Sequence, residues 1–144
     1  IRLPDLEMPS TAYWISLPAD AARVWNDETL GGAMVGLGHL LASLAPLYLL
    51  CDPRDLRAVV QVRSPFTGRP TVFLYETYAG GVGLAEKLYG LHGELLAAAF
   101  EVVAGCACHD GCPACTGPAS EVGPRGKEIV LALLSEAVNR LGAA

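Results

Sequence analysis

From Thr29 to Cys51 the chain carries no Asp, Glu, Lys or Arg. An apolar run of this kind is either a membrane span or a core helix buried on nearly all sides. Four glycines (Gly31, Gly32, Gly36, Gly38), His39 and Pro46 lie inside it, and no basic cluster flanks it to set an orientation. The pattern therefore predicts a buried helix from about Ala33 to Leu50, with Pro46 able to kink or divide it. Ahead of it, Thr11 to Leu17 (TAYWISL) alternates weakly and is rich in β-favouring residues, which predicts a strand ended by Pro18. Asp20 is placed to cap a short helix, AARVWNDE, interrupted by Gly31 and Gly32. Two further strands are predicted at Leu56–Arg63 and Thr71–Thr77, joined by the turn cluster SPFTGRP as an antiparallel hairpin. Within the first of them Val60 and Val62 face one way and Arg57, Gln61 and Arg63 the other.

Beyond the hairpin, Gly80, Gly81 and Gly83 open a long helix to about Ala104. Leu84, Leu88, Leu91, Leu95, Leu96 and Phe100 recur in it at helical spacing. A last helix, from about Arg125 to Leu141, carries Ile129, Ala132, Leu133 and Ala137 on one side. The order implies an α+β fold, a small mainly antiparallel sheet covered by helices. Residues 1–10, with Pro4 and Pro9, read as a linker, and residues 11–144 as a single domain.

Between the last two helices stands CACHDGCPAC, a CxC-x3-CxxC arrangement of Cys106, Cys108, Cys112 and Cys115. Thiolates so closely spaced can converge on one tetrahedral ion, and zinc prefers soft sulfur ligands. Gly111 and Pro113 supply the tight turns of a knuckle. A pair of disulfides is the competing reading, but CxC spacing strains such a bond. Four thiolates leave no coordination position open, so the expected role of Zn2+ is structural. His109 lies inside the knuckle and reads as a solvated loop residue, while Cys51, at the end of the apolar run, reads as a buried small hydrophobe.

Composition adds three restrictions. With 52% hydrophobic and only 17% charged residues and a mean hydropathy of +0.37, the chain needs either deep burial or neighbouring domains to dock on. A net charge of −5 argues against long-range attraction to nucleic acid. The one basic island is Arg54, Arg57, Arg63 and Arg69, a candidate contact for a DNA phosphate backbone or a solvated hairpin face. A reduced metal knuckle points to the cytoplasm, and the start at Ile1 fits a piece of a longer polypeptide.

Three segments now stand together: HLLASLAPLYLLCDPRDL (39–56), FLYETYAGGVGLAEKLY (73–89) and CACHDGCPAC (106–115). In this order they resemble the zinc-binding domain at the C-terminus of MrfA-class DEAD/DEAH-box DNA repair helicases, over about residues 11 to 140. The resemblance implies zinc on Cys106, Cys108, Cys112 and Cys115. It also implies a non-catalytic accessory domain that supports the helicase motor domains and the DNA path. Glu76 stands where the family usually has Asp, and Ala79 where it usually has Pro. No GxxxxGK[ST] phosphate loop occurs, so no ATP hydrolysis is expected of this chain itself. A zinc-stabilised protein–protein docking module is the alternative. A small metal-dependent hydrolase built on His39, Asp52 and Asp55 is a more remote one. Glu76, beside the glycine turn, is placed to cap the following helix, and the turn itself could instead cradle an anion.

Overall fold

Strand β1 (Ala12–Ser16) forms where the alternation of TAYWISL places it, and pairs antiparallel with β3 (Thr71–Glu76). Strand β2 (Leu56–Gln61) pairs antiparallel with the other edge of β3, as the predicted hairpin requires. The sheet order is β1-β3-β2, so the last strand in sequence is the central one. In this computed structural model the described residues are 12–17, 25–61, 69–77, 82–117, 119–123 and 125–143. The expected linker (1–10), most of the helix expected from Asp20, Val62 and Arg63, and Gly80 and Gly81 lie outside them.

Strand alternation gives the sheet two unlike faces. The inner face carries Tyr13, Val72, Leu74, Leu56 and Glu76, all buried. Helix α1 (Asp27–Leu49) lies across it and is itself covered on the far side by α3 (His92–Gly105) and α5 (Gly126–Ala143). That position explains the charge-free run. Leu30, Met34, Leu37, Leu40, Leu41, Ala45 and Leu49 are all buried, and a charge at any of them would be desolvated without a partner. By length and composition α1 could cross a membrane, yet 56% of its apolar window is buried inside the fold, as in a core helix.

Helix α1 begins earlier than expected. Asn26 caps it, its Oδ1 accepting from the Thr29 amide at 2.8 Å. The helix then runs through Gly31 and Gly32 without interruption. The reason is a close approach: a Cβ at position 32 would lie 2.5 Å from the carbonyl oxygen of Val122. Glycine here is a packing requirement, outweighing its cost of about 1 kcal/mol in helix propensity. Pro46 does not divide the helix. A 3-10 turn, Pro53–Asp55, leads into β2 and is closed by a capping box between Asp52 and Asp55.

The long helix expected after β3 is two helices. Helix α2 (Leu84–Gly90) ends at Leu91 (φ −100°, ψ 9°), where α3 starts. Gly90 and Gly93 weaken helix propensity on either side of the break. Just beyond it His92 turns its Nδ1 to the Tyr13 hydroxyl, tying α3 to β1. Burial, with Tyr89 nearby, raises the Tyr13 pKa, and burial lowers that of His92. The N-terminus of α2 is already supplied with an anion. Glu76, 0% exposed, accepts from the Val82 amide at 2.6 Å and the Ala85 amide at 3.2 Å. The carboxylate that β3 delivers thus meets the orphan amides and the positive end of the helix together.

On α5, Ile129 and Leu133 are buried as expected. Ala132 is exposed, and Val130 and Leu134 complete the buried face instead.

Candidate metal centre

Helix α3 delivers Cys106 at its C-cap, in extended conformation. The chain then loops through Cys108, Gly111 and Cys112 to a tight turn in which the amides of Cys115 and Gly117 both donate to the Cys112 carbonyl, at 3.0 and 2.8 Å. Gly111 has φ +118°, and a Cβ there would lie 2.7 Å from the Gly117 carbonyl oxygen. A side chain at this turn would therefore be strained and would collide with backbone. The short helix α4 (Ala119–Val122) follows, ahead of α5. The knuckle thus lies between the two long C-terminal helices α3 and α5, with one helical turn interposed.

The four thiols converge. The Sγ of Cys106 lies 3.4 Å from that of Cys108 and 3.5 Å from that of Cys112. The Sγ of Cys115 lies 3.5 Å from that of Cys108 and 3.8 Å from that of Cys112. All four sulfurs fall within 4.8 Å of one another. A regular tetrahedron with Zn–S bonds of ~2.3 Å has an S–S edge of ~3.8 Å, so the cluster matches a four-thiolate ion site. It does not match two disulfides, since all five cysteines are free. Burial pushes the Cys115 thiol up. Hydrogen bonds from the backbone at Cys112 and Thr116, and from Cys108 and the Thr116 hydroxyl, outweigh it and bring the pKa down to about 6. A thiol so placed is poised as the thiolate that a metal needs.

Two residues that hold the knuckle had no signal in the motif. Lys127, on the first turn of α5 and only 9% exposed, donates to the carbonyls of Cys106 (2.9 Å) and Cys108. Burial pulls its pKa down, but the hydrogen bond at Cys108 and the charges of Cys108, Cys106 and Cys115 outweigh that and raise it. One ammonium thus ties two ligand-bearing peptides and faces the negative charge that four thiolates and a divalent ion would leave. A lysine at the start of a helix opposes the macrodipole, which is the only local hint of such a task. His39 reaches from α1, its ring Nε2 lying 3.3 Å from the Pro113 carbonyl. It is hydrogen-bonded but exposed, not buried as a mid-helix histidine among apolar neighbours suggests. Cys51 is half-buried, also less enclosed than expected. His109 is exposed and pairs with Asp110 at 2.8 Å, outside the sulfur cluster.

Replacing Lys127 by methionine keeps the stem and removes the two hydrogen bonds. The expected result is a loss of metal affinity of roughly 10- to 100-fold, read by competition with a zinc chelator of known affinity. Unchanged affinity would show that packing alone holds the knuckle.

The remaining candidates do not converge. Asp52 and Asp55 are occupied with each other's backbone in the capping box, and Asp52 also pairs with Arg54 at 3.1 Å. The guanidinium and amide of Arg54 hold the Asp52 carboxyl below the usual carboxylate range. His39 is engaged with the knuckle, so no acid–base cluster forms among these three. Arg54 and Arg57 stand at one end of β2, while Arg69 is exposed before β3 at the other end. Arg63 lies outside the described residues.

A family profile described as the MrfA Zn-binding domain matches residues 37–116, which include all four cysteines. The chain belongs to this family. A crystal structure of the DUF1998 helicase MrfA bound to DNA superposes with a TM-score of 0.85 at 37% identity, over 95% of this chain and 18% of that one. A second MrfA structure, bound to DNA and AMPPNP, superposes with a TM-score of 0.75 at 35% identity, over 94% of this chain and 16% of that one. The ATP-dependent helicase YprA of Bacillus subtilis is 36% identical over 94% of this chain and 18% of its own length. The uncharacterized protein MJ1572.1 of Methanocaldococcus jannaschii is 32% identical over 57% of this chain and 76% of its own length. The chain thus spans under a fifth of the length of these helicase relatives.

Proposed function

We propose that this chain is a zinc-stabilised, non-catalytic accessory domain of a DEAD/DEAH-box DNA repair helicase, and that it supports the motor domains and the path of the DNA beside them. The observation that carries the proposal is the sulfur tetrahedron within a fold shared with MrfA bound to DNA. Cys106, Cys108, Cys112 and Cys115 hold the Zn2+, which shapes the turn after α3 and takes no part in turnover. Its partners are the motor domains of the longer chain and, through them, DNA. Residues 11–144 act as one unit, in the cytoplasm. Arg54, Arg57, Arg63 and Arg69 are the basic groups offered to phosphate, with Arg54 already partly engaged by Asp52.

The test has two arms. The zinc-loaded chain should show no ATPase or nuclease activity with zinc, magnesium or manganese, whereas metal-dependent turnover abolished by His39→Ala would favour a hydrolase. With a net charge of −5, its affinity for single-stranded DNA should be no tighter than roughly 10⁻⁵ M at physiological salt. The double change Arg57→Ala, Arg69→Ala should reduce the slope of log affinity against log salt by about 1.4, two single-strand phosphate contacts' worth. An unchanged slope would make these arginines a solvated face.

A further inference from the structure

The outer face of the sheet is the half that α1 does not cover. Register places Trp14 opposite Phe73 and Phe73 opposite Val59, and in the next row Tyr75 opposite Arg57. Trp14 is 55% exposed and Val59 41% exposed, while Phe73 and Tyr75 are half-buried. The Trp14 and Phe73 rings sit 6.3 Å apart, tilted by 44°, as two steps of one surface rather than a closed stack. A tryptophan this open on a strand is unusual.

The charge of the face is as informative as its rings. In a chain of net charge −5, the strand residues that point outward include no Asp or Glu, and Arg57 stands among the aromatics. Among the described residues Arg57 is exposed and has no ion-pair or hydrogen-bond partner. Glu86 of α2 lines a cavity with Trp14 and Tyr89 at the β1 side. It is the carboxylate at the rim and marks the edge away from which a phosphate backbone would run. Phe73 and Tyr75 are two residues apart on one strand, so their rings rise from the sheet about 7 Å apart. That spacing offers successive places for bases whose own stacking has been opened.

We infer that the open face of the sheet, Trp14, Phe73 and Tyr75 with Arg57, is a base-stacking platform for single-stranded DNA. This deepens the proposed function and rests on its placement of the domain beside a DNA path. Bases stack on the aromatic rings without regard to sequence, and Arg57 takes a phosphate. Duplex DNA, whose bases are already stacked, gains only the charge contact.

The test is a titration of the full zinc-loaded chain into a short dye-labelled oligothymidylate, followed by fluorescence anisotropy of the dye and repeated across salt. Trp14→Ala should lose about 5- to 100-fold in affinity with an unchanged salt slope. Trp14→Phe should recover most of that loss, and Arg57→Ala should flatten the slope. Retained zinc content and circular dichroism establish that each variant is folded. Salt-dependent binding that Trp14→Ala and Phe73→Ala both leave intact would overturn the platform while sparing the DNA reading. The absence of any salt-dependent binding would also overturn the platform, while leaving the accessory reading, in which DNA is reached through the motor domains, in place. Sedimentation that shows self-association in the parent chain and not in Trp14→Ala would assign the face to a second copy, and also overturn the platform.

Discussion

Cys112→Ser should release the metal and lower the melting temperature by roughly 8–16 °C while leaving most of the helical circular dichroism in place. Four thiolates within 4.8 Å of one another repel unless a cation compensates them, so loss of one ligand frees the ion and opens the knuckle. In small zinc fingers the metal supplies ~10 kcal/mol, nearly the whole driving force of folding. Here the core does not depend on it in that way. Leu30, Met34, Leu40, Leu41, Leu74, Leu95 and Ile129 are all buried in α1, the sheet, α3 and α5, and none of them lies in the knuckle. The parts at risk are Cys115 and Thr116, both buried, and the segment that packs Val122 against Gly32. A loss of about 4 kcal/mol, a fraction of the finger value, corresponds to the stated shift for a domain of this size. Chelation should reproduce the change in the unsubstituted chain. Complete loss of helical signal on chelation would show that the knuckle, and not the α1-centred core, nucleates the fold.

Glu76→Ala should be nearly as damaging, by about 3 kcal/mol or more, with a glutamine at the same place costing about half as much. The carboxylate is fully buried and holds the Val82 and Ala85 amides. Alanine leaves those donors unpaired at the start of α2 and opens a cavity where the buried carboxylate stood. Glutamine keeps one acceptor oxygen and loses the charge that favours a helix N-terminus. Chemical denaturation of the two variants, compared at equal zinc content, measures the pair. Equal stability of Glu76→Ala and the parent chain would mean that water replaces the carboxylate at no cost.

What the sequence by itself determined is what near neighbours settle. Strand β1 and the β2–β3 hairpin follow from two-residue alternation and a turn cluster, because the pleat imposes that period on any half-buried strand. The sulfur cluster follows from ligand spacing, since a CxC and a CxxC can bend onto one ion without help from distant chain. The capping role of Glu76 follows from a carboxylate placed ahead of a glycine turn and a helix. What only the tertiary structure decided depends on residues far apart in the chain. Strand β1 takes the edge beside β3, across the whole length of α1, so its place in the sheet could not be read locally. Gly31 and Gly32 look like a helix stop and are not, because Val122 must come within reach of the backbone at Gly32. Lys127 looks like a surface charge until the fold brings it under the carbonyls of Cys106 and Cys108. The four arginines look like one island, but β2 and the approach to β3 carry Arg57 and Arg69 toward opposite ends of the sheet. In each of these the deciding contact joins segments distant in sequence, and local propensity yields wherever such a contact removes apolar surface or backbone polar groups from water.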